Sequence, residues 1–488
     1  MNKPIRTLAI GCLILFGLLL ININYVQVIE ASSLNDNNTN KRARDAECSR
    51  DRGPILVDGE PVAQSTPSKD SLKFQRRYSQ WPLYANLTGF FSCVFGTTSI
   101  ENTENSILSG SDERLFVNRI IDLVGNNQPQ GGSVLLTINP KAQQAALDGL
   151  QNLTRQYGPT RGAVVALDPT TGAILAMVTQ PSYNPNFIAT HNVAAASRAY
   201  KSIFNASDNR ALNRAAQQIY PPGSTFKLIT SAAALSNGYT PSSRVKGGTS
   251  FALPGSSDSI QNENGSNCGG NEITLTDALR VSCNVSFADL GVKLGADTLR
   301  AQAEKFGFNE DVLDQLPSAT SKFPTNIDEA QTALSAIGQY EVAASPLQMA
   351  MVAAGIANGG AVMKPYIVQQ VRSPDLDVLD EASPQVLSQA VSGSVADQLT
   401  QMMVDVVESG TGTNVQIPGV TVAGKTGTAN SSVSRSPYAW MVTFAPADNP
   451  QVAVAALVEQ TGINRADITG NGLAGPIAKA VMEAVINP

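Results

Sequence analysis

A long apolar run near the N-terminus most constrains what this chain can fold into. It extends from Leu8 to Ile21 without a charged residue and continues less cleanly to Ile29. About 20 such residues span a bilayer as a helix, since the hydrocarbon core offers no partner to an open backbone N–H or C=O. Small residues suited to signal peptidase are not evident beside Ala31. The run therefore predicts an uncleaved signal anchor, residues 1–29, that includes a short tip before the span.

The cations around this run predict its orientation. Lys3 and Arg6 come just before it, whereas the next basic residue, Lys41, follows well beyond it. Because positive residues favour the cytoplasmic side, the N-terminal tip is expected in the cytoplasm and the rest of the chain outside, after a single pass through the cell membrane. The space outside the cytoplasm oxidises thiols, so cysteines beyond the span can form disulfides.

Composition argues against several classes of function. The chain has 34 basic and 40 acidic residues, a formal net charge of -6 and no dense Lys/Arg block, so no nucleic-acid partner is expected. Five cysteines without a C-x-x-C pair, together with one histidine, disfavour a structural zinc site, and neither a metal nor a cofactor is expected. A Ser-His-Asp hydrolase would need His191, the single histidine, as its base, but the chain has no G-x-S-x-G elbow to accompany it. His191 is therefore expected to be a solvated loop histidine.

Hydrophobic patterns predict two domains after the anchor. A stretch crowded with Asn, Gln, Pro and Gly at 126–132 is the predicted boundary between a small domain, 30–132, and a larger one, 133–488. In the small domain, a strand is predicted to end in an Asp-Gly turn at Asp58. The larger domain has predicted strands at 133–138, 163–167, 174–178, 420–424, 439–445 and 452–458, and predicted helices at 140–157, 347–358 and 471–486. Strands at both ends with helices between them indicate an α+β fold, one sheet covered by helices, in which the first and last strands are neighbours.

Ser224 is a candidate nucleophile. It follows the turn Pro221-Pro222-Gly223 at the predicted start of an apolar helix, and Lys227 lies about one turn later on the same face. A lysine in an apolar pocket favours its neutral amine, which can accept the serine proton, and the helix N-terminus favours a developing negative charge. A Ser and a Lys three residues apart also occur by chance, and a capping serine with a surface lysine accounts for this pair equally well.

Two further segments offer groups that acyl transfer needs. Ser282-Cys283-Asn284, within a predicted helix at 276–290, supplies a hydroxyl that can pass a proton and an amide that can hold a carbonyl. Lys425-Thr426-Gly427-Thr428 follows the predicted strand 420–424, and its lysine and threonine groups can hold a carboxylate while the glycine admits an acyl group. A backbone N–H there can bind an oxyanion, which contributes about 3 to 4 kcal/mol in a transition state.

With the three motifs S-x-x-K, S-x-N and K-T-G in this order, the chain resembles the penicillin-binding proteins and serine β-lactamases. Cys283 replaces the aspartate of S-D-N at a position that varies in the family, which leaves the implied roles intact. The resemblance extends over nearly all of the outer part, including 52–55, 168–172, 181–186, 335–339 and 408–412. It implies a transpeptidase domain, an antiparallel sheet covered by helices, on a small non-catalytic N-terminal pedestal.

The domain 30–132 is too short for the glycosyltransferase domain of bifunctional members. The chain therefore looks like a class B, monofunctional peptidoglycan D,D-transpeptidase, and most like a small class B type linked to cell division and wall cross-linking. The implied partners are peptidoglycan stem peptides, β-lactam antibiotics, and a glycan polymerase or another component of the division machinery.

The family resemblance implies a role for each motif residue. Ser224 would attack the penultimate D-Ala carbonyl of a stem peptide as Lys227 takes its proton, and Ser282 would relay the proton to the leaving D-Ala. An amine of a second stem peptide would then accept the acyl group, making a cross-link. Asn284 would bind the peptide carbonyl, and Lys425 with Thr426 and Thr428 would hold the terminal carboxylate. Gly427 would leave space for the acyl group. The N–H groups of Ser224 and Thr428 would form the oxyanion hole.

Two disulfides are hypotheses at this stage. Cys268 is close enough in sequence to Cys283 to pair, which would tether the active-site rim and stabilise the fold by about 3 kcal/mol through chain entropy. A buried thiol at Cys283 accounts for the sequence equally well. Cys48 and Cys93 are a second candidate pair, in the small domain.

Two rival functions share the same pocket. A D,D-carboxypeptidase or a β-lactamase would transfer the acyl group to water with the same nucleophile. A non-catalytic receptor for β-lactams or muropeptides would be acylated but would not release D-Ala.

Overall fold

The computed structural model describes residues 3–30, 34, 47–115, 130–429 and 436–487. Most of the predicted domain boundary at 126–132 and the cation Lys41 lie outside these residues. The apolar run forms helix α1 (Lys3–Asn24), which continues as a π-helical turn, Tyr25–Ile29. Among the described helices, it alone is long and apolar enough to cross a membrane, with a segment of mean hydropathy 2.2 and no residue of that segment buried against the protein.

Short strands and helices build the small domain. Its strands are β1 (Ile55–Val57), β2 (Glu60–Pro67), β3 (Phe74–Tyr78), β4 (Phe91–Ser92) and β5 (Gly96–Thr97), and its helices are α2 (Trp81–Thr88), α3 (Ser99–Thr103) and α4 (Asn105–Leu108), followed by a 3₁₀ turn, Glu113–Leu115. As predicted, an Asp-Gly turn follows β1: Asp58 and Gly59, with positive φ values of 52° and 80°, turn the chain into β2.

A buried cluster of charges holds this domain together. The carboxylate of Glu101 accepts hydrogen bonds from Nε of Arg52 at 2.5 Å, from Nε of Arg76 at 2.6 Å and from the hydroxyl of Tyr78 at 3.0 Å. Burial acts to raise the pKa of Glu101, but the two guanidinium groups outweigh it and hold that pKa below its usual value. Removing one member would leave an unpaired buried charge, so the cluster fixes α3 against β3.

The larger domain contains the remaining elements. Its strands are β6 (Ser133–Leu136), β7 (Arg161–Leu167), β8 (Ile174–Gln180), β9 (Arg244–Lys246), β10 (Ser250–Ala252), β11 (Ser259–Gln261), β12 (Glu272–Thr274), β13 (Ala361–Met363), β14 (Val368–Arg372), β15 (Val378–Glu381), β16 (Val386–Gln389), β17 (Ala423–Ala429), β18 (Tyr438–Ala445) and β19 (Val452–Gln460). Its α-helices are α5 (Pro140–Tyr157), α6 (Asn186–Ala189), α7 (Val193–Phe204), α8 (Arg214–Gln217), α9 (Lys227–Ser236), α10 (Leu275–Arg280), α11 (Asn284–Leu294), α12 (Ala296–Lys305), α13 (Glu329–Ser335), α14 (Pro346–Ala357), α15 (Gly393–Ser409) and α16 (Gly475–Ile486).

One antiparallel sheet, in the order β17-β18-β19-β7-β8, forms the centre of the larger domain. The prediction that the first and last strands of the domain are neighbours is wrong, because β6 belongs to another sheet. The strand that pairs with β19 is the second one, β7, which aligns Val165 with Ala455. Helices α5 and α16 pack on one face of the sheet, and the apolar α14 is buried on the other. The predicted α+β class, a sheet covered by helices, is confirmed.

A second sheet joins strands from both sides of the predicted boundary at residue 132. Its order is β15-β14-β6-β1-β2-β3, and β6 pairs in parallel with β1, with Val134 opposite Ile55. Strand β14 pairs with the other edge of β6. The small domain is thus continued by strands of the larger one, and the division at 132 stays a prediction.

Candidate active site

Ser224 lies in a 3₁₀ turn, Gly223–Phe226, that leads directly into α9, close to the predicted helix start. Gly223 has a φ of 53°, and a Cβ on it would lie 2.9 Å from the Cβ of Ala429 and 3.0 Å from the carbonyl oxygen of Thr428. Its N–H donates to the carbonyl of Gly338 at 3.0 Å. Only glycine meets both demands, so the turn that carries the nucleophile is pressed against strand β17.

The segment that contains Ser282 is not the continuous helix predicted for 276–290. Helix α10 ends at Arg280, α11 begins at Asn284, and Ser282 between them has a φ of 59°. The left-handed conformation costs an ordinary residue about 1 to 2 kcal/mol, so it requires support from surrounding contacts. The break brings the side chain and the carbonyl of Ser282 toward the two lysines of the site.

Lys227 is fully buried and bound to this segment. Its Nζ lies 2.7 Å from the carbonyl oxygen of Ser282, 2.7 Å from Oδ1 of Asn284 and 3.3 Å from Oγ of Ser282. Burial lowers the pKa of Lys227 well below its usual value, the positive charge of Lys425 lowers it further, and Glu263 opposes both.

The neutral amine of Lys227 fits these three contacts. It has two N–H groups for the two oxygens at 2.7 Å, which can only accept, and it keeps a lone pair that can take a proton. A lysine held in this form can take a proton from a hydroxyl.

The K-T-G segment lies within a strand and does not follow one, so the predicted strand 420–424 is misplaced. Strand β17 runs from Ala423 to Ala429 at the edge of the central sheet. Within it, the buried Lys425 donates from Nζ to Oγ of Ser282 at 2.9 Å and to the carbonyl of Thr426 at 2.9 Å. Burial lowers the pKa of Lys425 to about 7, against the opposing charge of Glu263.

Gly427 allows the strand and the nucleophile turn to approach each other. A Cβ at this position would lie 2.9 Å from Cγ2 of Thr225 and 3.0 Å from the carbonyl oxygen of Pro222. Any larger residue would push β17 away from the turn that carries Ser224.

The predicted site residues gather at one cleft of about 800 Å³. Ser224, Ser282, Asn284, Thr426 and Thr428 line it. Lys227 and Lys425 lie behind this wall, joined through the hydroxyl of Ser282. The arrangement provides an accessible hydroxyl, buried amines that can exchange a proton through a serine, and an edge strand beside which an extended peptide can lie.

Sequence reasoning missed Thr411 as a member of the site. Its Oγ1 lies 2.7 Å from Oγ1 of Thr426, and it also lines the cleft. The segment Glu408-x-Gly410-Thr411-Gly412 was part of the family resemblance, but nothing in its local pattern indicated contact with the K-T-G strand.

The cysteines after the membrane span form two disulfides among the described residues. Cys268 is bonded to Cys283, with Cα atoms 5.8 Å apart, and Cys48 to Cys93, with Cα atoms 5.9 Å apart. The first bridge attaches the loop before β12 to the residue between Ser282 and Asn284. No described group of three His, Cys, Asp or Glu side chains is placed to hold a metal ion.

His191 lies in the loop between α6 and α7, as predicted, but it is partly buried and paired, so it is not the solvated side chain that was expected. Its Nδ1 lies 2.6 Å from Oδ2 of Asp70 in the loop before β3. The hydrogen bond with His191 lowers the pKa of Asp70. His191 does not line the cleft, and its contact with Asp70 instead joins the loop between α6 and α7 to the loop before β3.

The fold and this site define a serine acyltransferase that uses buried lysines where other enzymes use a histidine. The family model of the penicillin-binding protein transpeptidase domain matches residues 162–483, and that of the penicillin-binding protein A dimerisation domain matches residues 52–134. The chain belongs to the penicillin-binding protein transpeptidase family, which confirms the predicted family and its class B type.

Similarity to relatives extends over the whole chain. Peptidoglycan D,D-transpeptidase PbpA of Mycolicibacterium smegmatis is 41% identical over 492 residues, which cover 100% of this chain and 99% of that protein. PbpA of Mycobacterium tuberculosis is 40% identical over 494 residues, with the same coverage. The structure of penicillin-binding protein A from M. tuberculosis as a ceftriaxone acyl-enzyme complex superimposes with a TM-score of 0.87 at 41% identity, covering 91% of this chain and 100% of that one.

Proposed function

We propose that this chain is a membrane-anchored peptidoglycan D,D-transpeptidase that cross-links stem peptides through an acyl-enzyme at Ser224. The observation that carries the proposal is the chain of contacts from Lys227 through the hydroxyl of Ser282 to Lys425, behind a cleft lined by Ser224. Relatives at 40–41% identity bear the name of this activity, and one solved relative is a penicillin G acyl-enzyme.

In the first half-reaction the Ser224 hydroxyl attacks the penultimate D-Ala carbonyl of the donor. Lys227, neutral because it is buried, accepts the proton of that hydroxyl. The N–H groups of Ser224 and Thr428 stabilise the oxyanion. The C–N bond then breaks, and the terminal D-Ala leaves with a proton that passes through Ser282.

The donor is held by the other groups of the cleft wall. Asn284 binds a peptide carbonyl, Lys425 with Thr426 and Thr428 binds the terminal carboxylate, and Gly427 leaves room for the acyl group beside β17. In the second half-reaction an amine of another stem peptide attacks the ester. A β-lactam occupies the same position as the donor and acylates the same serine.

The location is inferred from α1 and the cations at its start. Lys3 and Arg6 lie in the first turns of α1, ahead of its apolar run, so the tip lies in the cytoplasm and the catalytic domain on the wall side of the membrane. The chain then consists of the anchor 1–29, the pedestal 30–132 and the transpeptidase domain 133–488. On that side of the membrane it works in cell division or wall growth, next to a glycan polymerase or another division protein that supplies new strands.

A transfer assay tests this proposal. The purified chain is incubated with a D-Ala-D-Ala thioester donor and an amine acceptor, with Ser224→Ala as the control. We expect thiol release and an amide product from the wild-type chain alone. Unchanged turnover by Ser224→Ala would refute the mechanism.

The same assay separates the rival functions. Hydrolysis as the main fate of the donor would indicate a carboxypeptidase, and rapid turnover of a labelled penicillin would indicate a β-lactamase. Stable acylation by penicillin without any release from the donor would indicate a receptor.

A further inference from the structure

Glu263 gives the cleft an unusual electrostatic feature. It is exposed, and among the described residues that line the cleft it is the only one with a charge. The lysines of the site lie behind the wall, fully buried. A substrate that enters the cleft therefore meets an acidic rim before it reaches the basic interior.

The position of Glu263 is fixed by the segment it belongs to, residues 261–268, which we call the clip. The carbonyl of Gln261 accepts from Nδ2 of Asn284 at 2.9 Å, and Oδ1 of Asn262 accepts from the N–H of Val285 at 3.1 Å. At the other end of the clip, Cys268 is bonded to Cys283. Three consecutive residues, 283–285, thus hold the clip on both sides of Glu263.

The backbone around Glu263 is held as firmly. The side chain of Asn262 is buried and donates to the carbonyls of Gly248 and Ser266, both at 2.7 Å. Glu263 then begins a 3₁₀ turn that ends at Gly265. A carboxylate on such a frame has a defined place on the rim, which a residue in a free loop would not have.

The charge of Glu263 reaches both lysines of the site. It acts to raise the pKa of Lys227 and of Lys425, although burial outweighs it in each case. The carboxylate therefore lines the same cleft as Ser224 and acts electrostatically on the two amines behind it.

The two substrates of the proposed transfer differ in charge at the atoms that enter this cleft. The donor brings a terminal carboxylate, which a carboxylate on the rim repels. The acceptor brings an aliphatic amine, which is an ammonium ion at neutral pH. Buried lysines repel that ion as soon as either is protonated, so an acceptor needs a negative group on its route.

We propose that Glu263 is the group that receives the acceptor ammonium and positions it beside the acyl-enzyme. This inference rests on the proposed transpeptidase function and names the acceptor class, a primary aliphatic amine that arrives as a cation. One proton of the ammonium leaves to solvent. The C–N amide bond then forms as the ester bond to Oγ of Ser224 breaks, and a second proton returns to Oγ.

The test compares Glu263→Gln with the wild-type protein on a D-Ala-D-Ala thioester donor. Two acceptors are used at about pH 7.5, Nα-acetyl-lysine amide, which is a cation there, and hydroxylamine, which is neutral. We expect Glu263→Gln to raise the KM of the cationic acceptor about fivefold, the effect of a strong ion pair at an exposed site, with little change for hydroxylamine. Added salt should raise the wild-type KM for the cation and leave that of the variant unchanged.

A matched control is Asp258→Asn, which removes an exposed carboxylate five positions earlier that does not line the cleft. It should behave as the wild type with both acceptors. Thiol release without an acceptor tests acyl-enzyme formation alone, so a failure of the proposed function is distinguishable from a failure of this inference.

Three results would overturn the inference. The first is an unchanged KM for the cationic acceptor in Glu263→Gln, and the second is an equal loss with hydroxylamine. The third is a fall in thiol release as large as the loss of transfer, because Glu263 would then act on acylation.

Discussion

The hydroxyl of Ser282 lies 2.9 Å from the ammonium nitrogen of Lys425, and Lys227 contacts the same hydroxyl at 3.3 Å from the other side. One serine thus connects the two buried lysines. Because one pKa is lowered to about 7 and the other well below the usual value of a lysine, a proton can be exchanged between them near neutral pH. The protonation states of these lysines are the basis of the first two predictions.

Lys227→Arg should abolish acylation although it preserves the positive charge. A guanidinium stays protonated at any pH that the protein survives, so it cannot accept the proton of Ser224. The loss should exceed 100-fold, the usual contribution of a general base being about 10² to 10⁴. Labelling with a fluorescent penicillin, followed by gel electrophoresis, measures it. A Lys227→Arg protein that is acylated at the wild-type rate would show that another group takes the proton.

Lys425→Met should change how stability depends on pH. The pKa of Lys425 is about 7 when folded, below the value of an unfolded lysine, so the unfolded chain binds more protons between about pH 7 and about pH 10.4. The contribution of Lys425 to the free energy of unfolding therefore increases as pH rises through that range, by at most about 5 kcal/mol. Methionine has no charge to bury, so the variant should gain in Tm over the wild type at pH 7, and the gain should shrink toward pH 10.

Thermal unfolding across this pH range measures the effect. Lys305→Met, at an exposed site at the end of α12, serves as the control and should follow the wild type at every pH. A gain in Tm for Lys425→Met that does not change with pH would contradict the lowered pKa.

Loss of the Cys268–Cys283 bridge should slow acylation. The bridge connects the clip to the residue between Ser282 and Asn284, so its removal takes away one of the restraints on the segment that carries both motif residues. Cys268→Ala should reduce the rate of penicillin acylation several-fold and destabilise the fold by about 3 kcal/mol. The paired variant Cys48→Ala with Cys93→Ala removes the bridge of the small domain and should lower Tm while leaving acylation unchanged. Mass spectrometry of an unreduced digest should find both bridges, and free thiols at Cys268 and Cys283 would refute this account.

Thr411→Val should weaken binding of the donor carboxylate. The Thr411 hydroxyl bonds to that of Thr426 at 2.7 Å and positions it on the cleft wall. Loss of one hydrogen bond of about 1 kcal/mol corresponds to a roughly fivefold rise in donor KM with little change in kcat. Thr411→Ser keeps the hydroxyl and should restore the wild-type KM. A donor KM for Thr411→Ser as high as that of Thr411→Val would show that the hydroxyl alone does not position Thr426.

Sequence by itself determined what depends on short-range pattern. The apolar run of α1, the strands β7 and β8, and the helix α14 were all predictable, because periodicity and turn residues act over a few positions. The order of the three motifs likewise identified the family and its nucleophile. The β17 strand was misplaced by a few residues, since a buried edge strand that contains lysine, threonine and glycine has no alternating pattern to mark its ends.

Only the tertiary structure decided the chemistry of those residues. The lowered pKa of Lys227 comes from burial among segments distant in sequence, and the helix break at Ser282 is held by contacts to both lysines. The contact of Thr411 with Thr426 and the place of Glu263 on the cleft wall also depend on segments that are distant in sequence. Ser224 and Lys227 would be neighbours on one helical turn in any helix that contains a serine and a lysine three residues apart. They become a nucleophile and a base because packing removes water from the amine, and burial by distant segments cannot be read from local pattern.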